Sequence, residues 1–175
     1  QMLSIAKQTA KGLNCAHEHG VIHQDVKPAN VMVSRDGTAK VSDFGLAKAR
    51  PALERGGQQS ILVSMNGMTQ AYCSPEQAAH QKLDRRTDVW SWAVSVMVMF
   101  QGEVTWHSGS LAAEALEVFL EHNGEEEYIP AMPEGVTAVL RRCFQQDPAN
   151  RPRTLHDCAT SLREVYQAEA GKPYP

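Results

Sequence analysis

Four side chains that can do chemistry share one short connection. His23, Asp25, Lys27 and Asn30 sit in the stretch HQDVKPAN, between the apolar runs Val21-Ile22 and Val31-Met32-Val33. A plain turn needs none of this, although Asp and Asn taken alone serve turn chemistry equally well. Asp43-Phe44-Gly45 follows thirteen residues after Asn30, just past another short apolar run, Ala39 to Val41. An Asn and an Asp at the two ends of one hairpin can meet at a point in space. Two oxygen ligands there suit Mg²⁺, which takes few protein ligands and leaves room for phosphates. Asp25 adds a base and Lys27 a cation. A base, a cation and a metal site are what phosphoryl transfer requires, because that chemistry is mostly positioning and charge neutralisation.

The elements that must hold these groups can be read from periodicity. Leu3, Ile5, Ala6, Ala10, Leu13, Cys15 and Ala16 recur as on one helix face, and Gly20 ends that helix. Asp36-Gly37 marks a tight hairpin turn between two short strands. Residues 46 to 75 show no clear period and read as one long loop, a length that is uncommon unless it has a function. Helices are expected over about 88–101, 111–122, 136–145 and 154–168, with Pro130, Pro133, Pro148 and Pro152 between them. Strands early and helices afterwards predict a helix-rich α+β unit.

The bulk numbers exclude some functions. The chain has 175 residues, 42% of them apolar and 21% charged, an ordinary globular composition. A formal net charge of −3 gives no electrostatic case for nucleic acid or an anionic membrane. Val89 to Phe100 is apolar, but it falls short of the roughly 20 residues that a bilayer demands, so it predicts a buried core helix rather than a membrane span. Trp90 and Trp92 belong to that core reading. Cys15, Cys73, Cys143 and Cys158 lie far apart with no CxxC pair, which favours a reducing, cytoplasmic setting over a disulfide framework or zinc site. His17, His19 and His23 do not have metal-ligand spacing. Cys73 reads as a plain small residue, and Glu125 to Glu127 as a solvated loop.

These motifs together carry a resemblance. HQDVKPAN is similar to the His-Arg-Asp catalytic loop of the eukaryotic-type protein kinases, and Asp43-Phe44-Gly45 to their metal-binding triplet. Ser74-Pro75-Glu76, at the end of GMTQAYCSPE, resembles the Ala-Pro-Glu motif that closes the activation segment. DVWSWAV resembles the start of the family's central helix, and NRPR, Asn150 to Arg153, its late arginine motif. Lys27-Pro28 together with Thr69 resembles the Ser/Thr branch. The resemblance implies a mostly helical C-terminal lobe with a short β-hairpin at the catalytic loop over residues 1–168, a tail or linker over 169–175, and no N-lobe in the chain.

The resemblance also implies roles. Asp25 would take or orient the proton of a protein Ser/Thr hydroxyl, and Lys27 would neutralise the transferring phosphate. Asn30 and Asp43 would hold Mg²⁺ and through it ATP. Thr69 would shape the substrate site. His23 and Gly45 would be structural. Glu76 and Arg151 would form a buried ion pair, and Asp88 would cap the central helix and brace the catalytic loop.

Several positions depart from the pattern. Gln24 replaces the Arg that meets a phosphorylated activation loop, which marks the non-RD type. A neutral amide cannot pair bidentately with phosphate, so phosphorylation at Ser60 or Ser64 is expected to matter less. Met68 and Ala93 stand where Gly is usual. The glycine-rich loop, the Val-Ala-Ile-Lys strand and its partner Glu have no counterpart in the chain. The first expectation is therefore an ATP-dependent Ser/Thr protein kinase, present here as a fragment. The alternative is a kinase-like lobe that acts as a protein-binding module. The residues set no oligomeric state.

Overall fold

The computed structural model describes residues 1–45, 48–49, 70–124 and 131–170. Six α-helices and four short strands are among them. Helix α1, Met2–Glu18, ends where the period predicts. His19 caps it, and Gly20 follows at φ 76°, a left-handed backbone that costs glycine little. Strand β1 is Val21–Ile22. Strands β2, Val31–Val33, and β3, Ala39–Val41, form the antiparallel hairpin, with Val31 opposite Val41 and Val33 opposite Ala39. Gly37 sits at φ 84° in the turn, where Ser34 N–H donates to Thr38 O at 2.9 Å.

Strand β4, Lys48–Ala49, pairs antiparallel with β1 and lies inside the stretch read as loop. Two-residue strands leave no periodic signal to detect. That stretch also holds a 3₁₀ turn at Gln70–Tyr72, and the one-turn helix α2, Pro75–Ala78, begins at its last residue. Ser74 caps α2 in a reciprocal capping box with Gln77, and Pro75 stands at the first helical position, where its missing N–H costs nothing.

Helix α3, Arg86–Gln101, is the centre of the core. Every residue from Thr87 to Met97 is buried. Repeated valines make it a poor helix by propensity, and burial on all sides overrides that. Its serines are satisfied locally: Ser91 Oγ donates to Thr87 O at 3.3 Å and Ser95 Oγ to Ser91 O at 2.8 Å. Gly102 ends it at φ 85°, its N–H donating to Val98 O at 2.8 Å. Helices α4, Ala112–Glu121, α5, Glu134–Cys143, and α6, Leu155–Ala170, complete the core. Helix α1 packs against α6, β3 and α3.

The tryptophan N–H groups tie these layers together. Trp90 Nε1 donates to Gly109 O and Trp92 Nε1 to Ala6 O, both at 3.0 Å; Trp106 Nε1 donates to Ala71 O at 2.8 Å. Trp90 and Trp92 are thus core residues whose polar atoms are matched. Gly109 is needed for its size. A Cβ there would lie 2.3 Å from Cys73 O, so the chain before α4 presses directly on the backbone leading into α2. None of the described helices is long and apolar enough to cross a membrane.

Candidate active site

The stretch from His23 to Asn30 folds back on itself around Asp25. Lys27 Nζ lies 2.7 Å from Asp25 Oδ2. Asn30 Nδ2 donates to Asp25 O at 2.8 Å and to Oδ2 at 3.2 Å. The Pro28–Asn30 3₁₀ turn makes this return possible, with proline setting its first residue. Asp25 is 8% exposed, so its carboxylate is mostly desolvated and held by a cation and an amide.

Hairpin register brings the second motif alongside. Ser42 N–H donates to Asn30 O at 2.9 Å, which places Asp43 one residue beyond the neighbour of Asn30. Asp43 is exposed and left-handed at φ 59°, a conformation Asp tolerates better than most residues. Its Oδ1 accepts Gly45 N–H at 3.3 Å. Asn30 spends its amide nitrogen on Asp25, which leaves Oδ1 as an oxygen donor. One amide oxygen and one exposed carboxylate form a hard donor set that fits Mg²⁺. No cluster of three or more His, Cys, Asp or Glu able to hold a metal occurs among the described residues.

His23 is fully buried and works through its ring. Its Nε2 donates to Ser42 O at 3.0 Å and its Nδ1 accepts Asp25 N–H at 3.3 Å, which fixes the neutral Nε2–H tautomer. Phe44 packs against it at a tilt of 50°, ring centroids 4.6 Å apart. One imidazole thereby links the Asp25 loop to the Asp43 turn.

Asp88 braces the same loop from below but does not cap α3. It lies in the first turn of that helix, which starts at Arg86, and Asp84 Oδ1 accepts the Arg86 N–H at 2.7 Å instead. Asp88 Oδ2 accepts His23 N–H and Oδ1 accepts Gln24 N–H, each at 2.8 Å. His17 Nε2 donates to Oδ2 at 2.7 Å. The apolar block alone puts the helix start two residues late, which is why Asp88 looks like a cap in the sequence.

Gln24 is buried and left-handed at φ 68°, a backbone that costs a residue with a Cβ about 1–2 kcal/mol. Both its backbone polar groups are held: the N–H by Asp88, and the carbonyl by Gln77 Nε2 at 2.9 Å. Gln77, His17 and Thr87 are the site-supporting residues that the sequence reading missed. The Ser-x-x-Gln capping pattern could have signalled Gln77; nothing in the sequence marks His17.

Arg151 and Glu76 pair bidentately, Nη1 to Oε1 at 2.7 Å and Nη2 to Oε2 at 2.8 Å. Thr87 Oγ1 donates to Glu76 Oε1 at 3.0 Å, and Ser74 Oγ lies 2.6 Å from Thr87 Oγ1. Arg151 also donates to the carbonyls of Gln145, Arg86 and Gln146, and its guanidinium lies 4.8 Å from the Trp90 ring centroid. Cys73 is buried beside Asp25. Burial first, and then the Asp25 charge, push its thiol up to about 11, so it stays protonated and unreactive at neutral pH. All four described cysteines are free thiols. Thr69, Ser60, Ser64, Met68 and Glu125 to Glu127 lie outside the described residues.

A family model described as the protein kinase domain matches residues 1–163. A probable serine/threonine-protein kinase of Clostridium perfringens is 32% identical over 168 residues, covering 93% of this chain and 23% of that protein. The serine/threonine-protein kinase PknB of Mycolicibacterium smegmatis is 32% identical over 174 residues, covering 96% of this chain and 27% of that protein. PknB of Mycobacterium tuberculosis is 31% identical over 172 residues, covering 95% and 26%. The chain spans about a quarter of the length of these curated relatives.

Proposed function

The chain belongs to the protein kinase family, and from that premise we propose that it is the C-terminal lobe of a Ser/Thr protein kinase acting on a protein hydroxyl with ATP. The observation that carries this is the gathering of Lys27 and Asn30 on Asp25, with Asp43 brought alongside by the hairpin register. In the proposed reaction the substrate oxygen forms a bond to the γ-phosphorus of ATP as the bond to ADP breaks. Asp25 orients that hydroxyl and receives its proton. Lys27, already beside Asp25, meets the charge on the transferring phosphoryl group. Asn30 and Asp43 would hold Mg²⁺, which when bound neutralises phosphate oxygens. Thr69 would help shape the substrate site. Among the described residues, Met32, Val33 and Phe44 are large apolar side chains left exposed at the hairpin and the turn after it, which supports a missing apolar partner on that side. The free thiols and the use of ATP favour a cytoplasmic setting.

Asp25→Asn in the full-length protein tests the assignment. Phosphate transfer to a protein substrate should fall by about 10²–10⁴-fold, the range a positioned general base contributes, with the fold retained. Undiminished transfer rejects the role. The same apolar side chains also favour a second reading, a lobe that docks a partner without catalysis. Partner binding unchanged by Asp43→Ala and by removal of Mg²⁺ and ATP would favour it.

A further inference from the structure

A separate basic cavity lies behind the catalytic loop. It encloses about 350 Å³ and is walled by His17, Gly20 and Ile22 from the end of α1 and β1, by Arg85 and Arg86 at the start of α3, and by Arg153. We propose that this cavity is a binding site for a phosphate group, either the free ion or the head of a phosphomonoester. The inference does not depend on the kinase reading of Asp25.

The first argument is the state of the arginines. Arg141 and Arg151 each lie against a carboxylate, at 2.6 and 2.7 Å. The guanidinium groups of Arg85, Arg86 and Arg153 make no hydrogen bond or ion pair among the described residues. They come from two segments far apart in sequence and face one cavity. Converging guanidinium groups suit a tetrahedral anion, since each offers a planar fork of donors. Asp84 also lines the cavity, but its Oδ1 is engaged by Arg86 N–H at 2.7 Å, and the three arginines outnumber that one carboxylate. The sixteen-residue helix α3 adds the positive end of its dipole.

The second argument is an unmet polar atom. The His17 side chain is 2% exposed, and its Nδ1 is buried with no hydrogen-bond partner. Its Nε2 is already committed to Asp88. His17, which lines the cavity, is also one hydrogen bond from Asp88, whose carboxylate holds the His23 and Gln24 N–H groups.

Phenylglyoxal modification of the full-length protein, with each arginine followed by peptide mass spectrometry, tests this site by site. Inorganic phosphate or O-phosphoserine should slow modification of Arg85, Arg86 and Arg153 several-fold, while chloride at matched ionic strength should not. Arg142 and Arg163, exposed and outside the cavity, should be unprotected. Stronger protection by O-phosphoserine assigns the monoester; equal or stronger protection by inorganic phosphate assigns the free ion. Equal rates in phosphate and chloride, or the same protection at Arg142, would overturn the proposal. In the double variant Arg86→Gln/Arg153→Gln, shown to be folded by circular dichroism, phosphate should no longer protect Arg85. Persistent protection would sink the idea just as surely.

Discussion

Two arginine–carboxylate pairs in this molecule are both bidentate and differ in almost everything else. Arg151 and Glu76 meet with side chains 0% and 5% exposed. Arg141 and Glu117 also make two parallel bonds, side-on through Nε to Oε1 at 2.8 Å and Nη2 to Oε2 at 2.6 Å, yet both are 54% exposed. The first pair links α2 to the chain before α6, and the remaining arginine donors are used on three carbonyls. The second joins the outer faces of α4 and α5 and answers to water. Bond length therefore says little about consequence; desolvation and further partners decide it.

A double-mutant cycle on the buried pair should break this contrast most forcefully. Glu76→Gln leaves a guanidinium buried without its counter-charge, and urea denaturation should show a loss of about 3–5 kcal/mol. Arg151→Met should cost a similar amount, because it strands Glu76 and the carbonyls of Gln145, Arg86 and Gln146. The combined Glu76→Gln/Arg151→Met should be less destabilised than the two singles added, by on the order of 2 kcal/mol. Strict additivity would mean that the two side chains do not act as a unit.

The exposed pair should give the smallest effect. Glu117→Gln should be indistinguishable from the parent in the same denaturation at 1 M salt, where screening reaches roughly 3 Å. At low salt a slight acid sensitivity is expected. The Arg141 hydrogen bond holds the Glu117 carboxyl below its ordinary range. A lowered folded-state value means that the stabilisation is present above the unfolded carboxylate range and fades as pH falls through the folded value. A clear loss of stability for Glu117→Gln at high salt would erase the distinction between the pairs.

Much of the site is legible in the residues, and what is not legible has physical causes. Asp25, Lys27, Asn30 and Asp43 are close in sequence, and the Asp36-Gly37 turn alone is enough to fold one segment back on the other. Glu76 and Arg151 are 75 positions apart, so only the family motif anticipates their meeting. The β1–β4 pairing joins strands too short to show alternation. The α3 start is misplaced because hydrophobicity begins at Val89 while the backbone turns at Arg86. His17 carries no local signal, since its partner Asp88 is 71 residues away. Arg85 and Arg86 read as ordinary flanking charges until Arg153 is seen to face the same cavity.

The Asp88 carboxylate also has a meaning in time. It receives donors 64, 65 and 71 residues upstream, while the loop that it serves holds Gln24 in a costly left-handed turn. Neighbouring residues alone would not hold that turn. The order of events in folding should then run from the core outward, with α3 docking on α1 before the His23–Asn30 loop takes shape. Native-state hydrogen exchange can read this directly. The His23 and Gln24 amides should open together, and Asp88→Asn should free both while the inner amides of α3 stay protected. A loop that kept its protection in that variant would be one that assembles without waiting for the core.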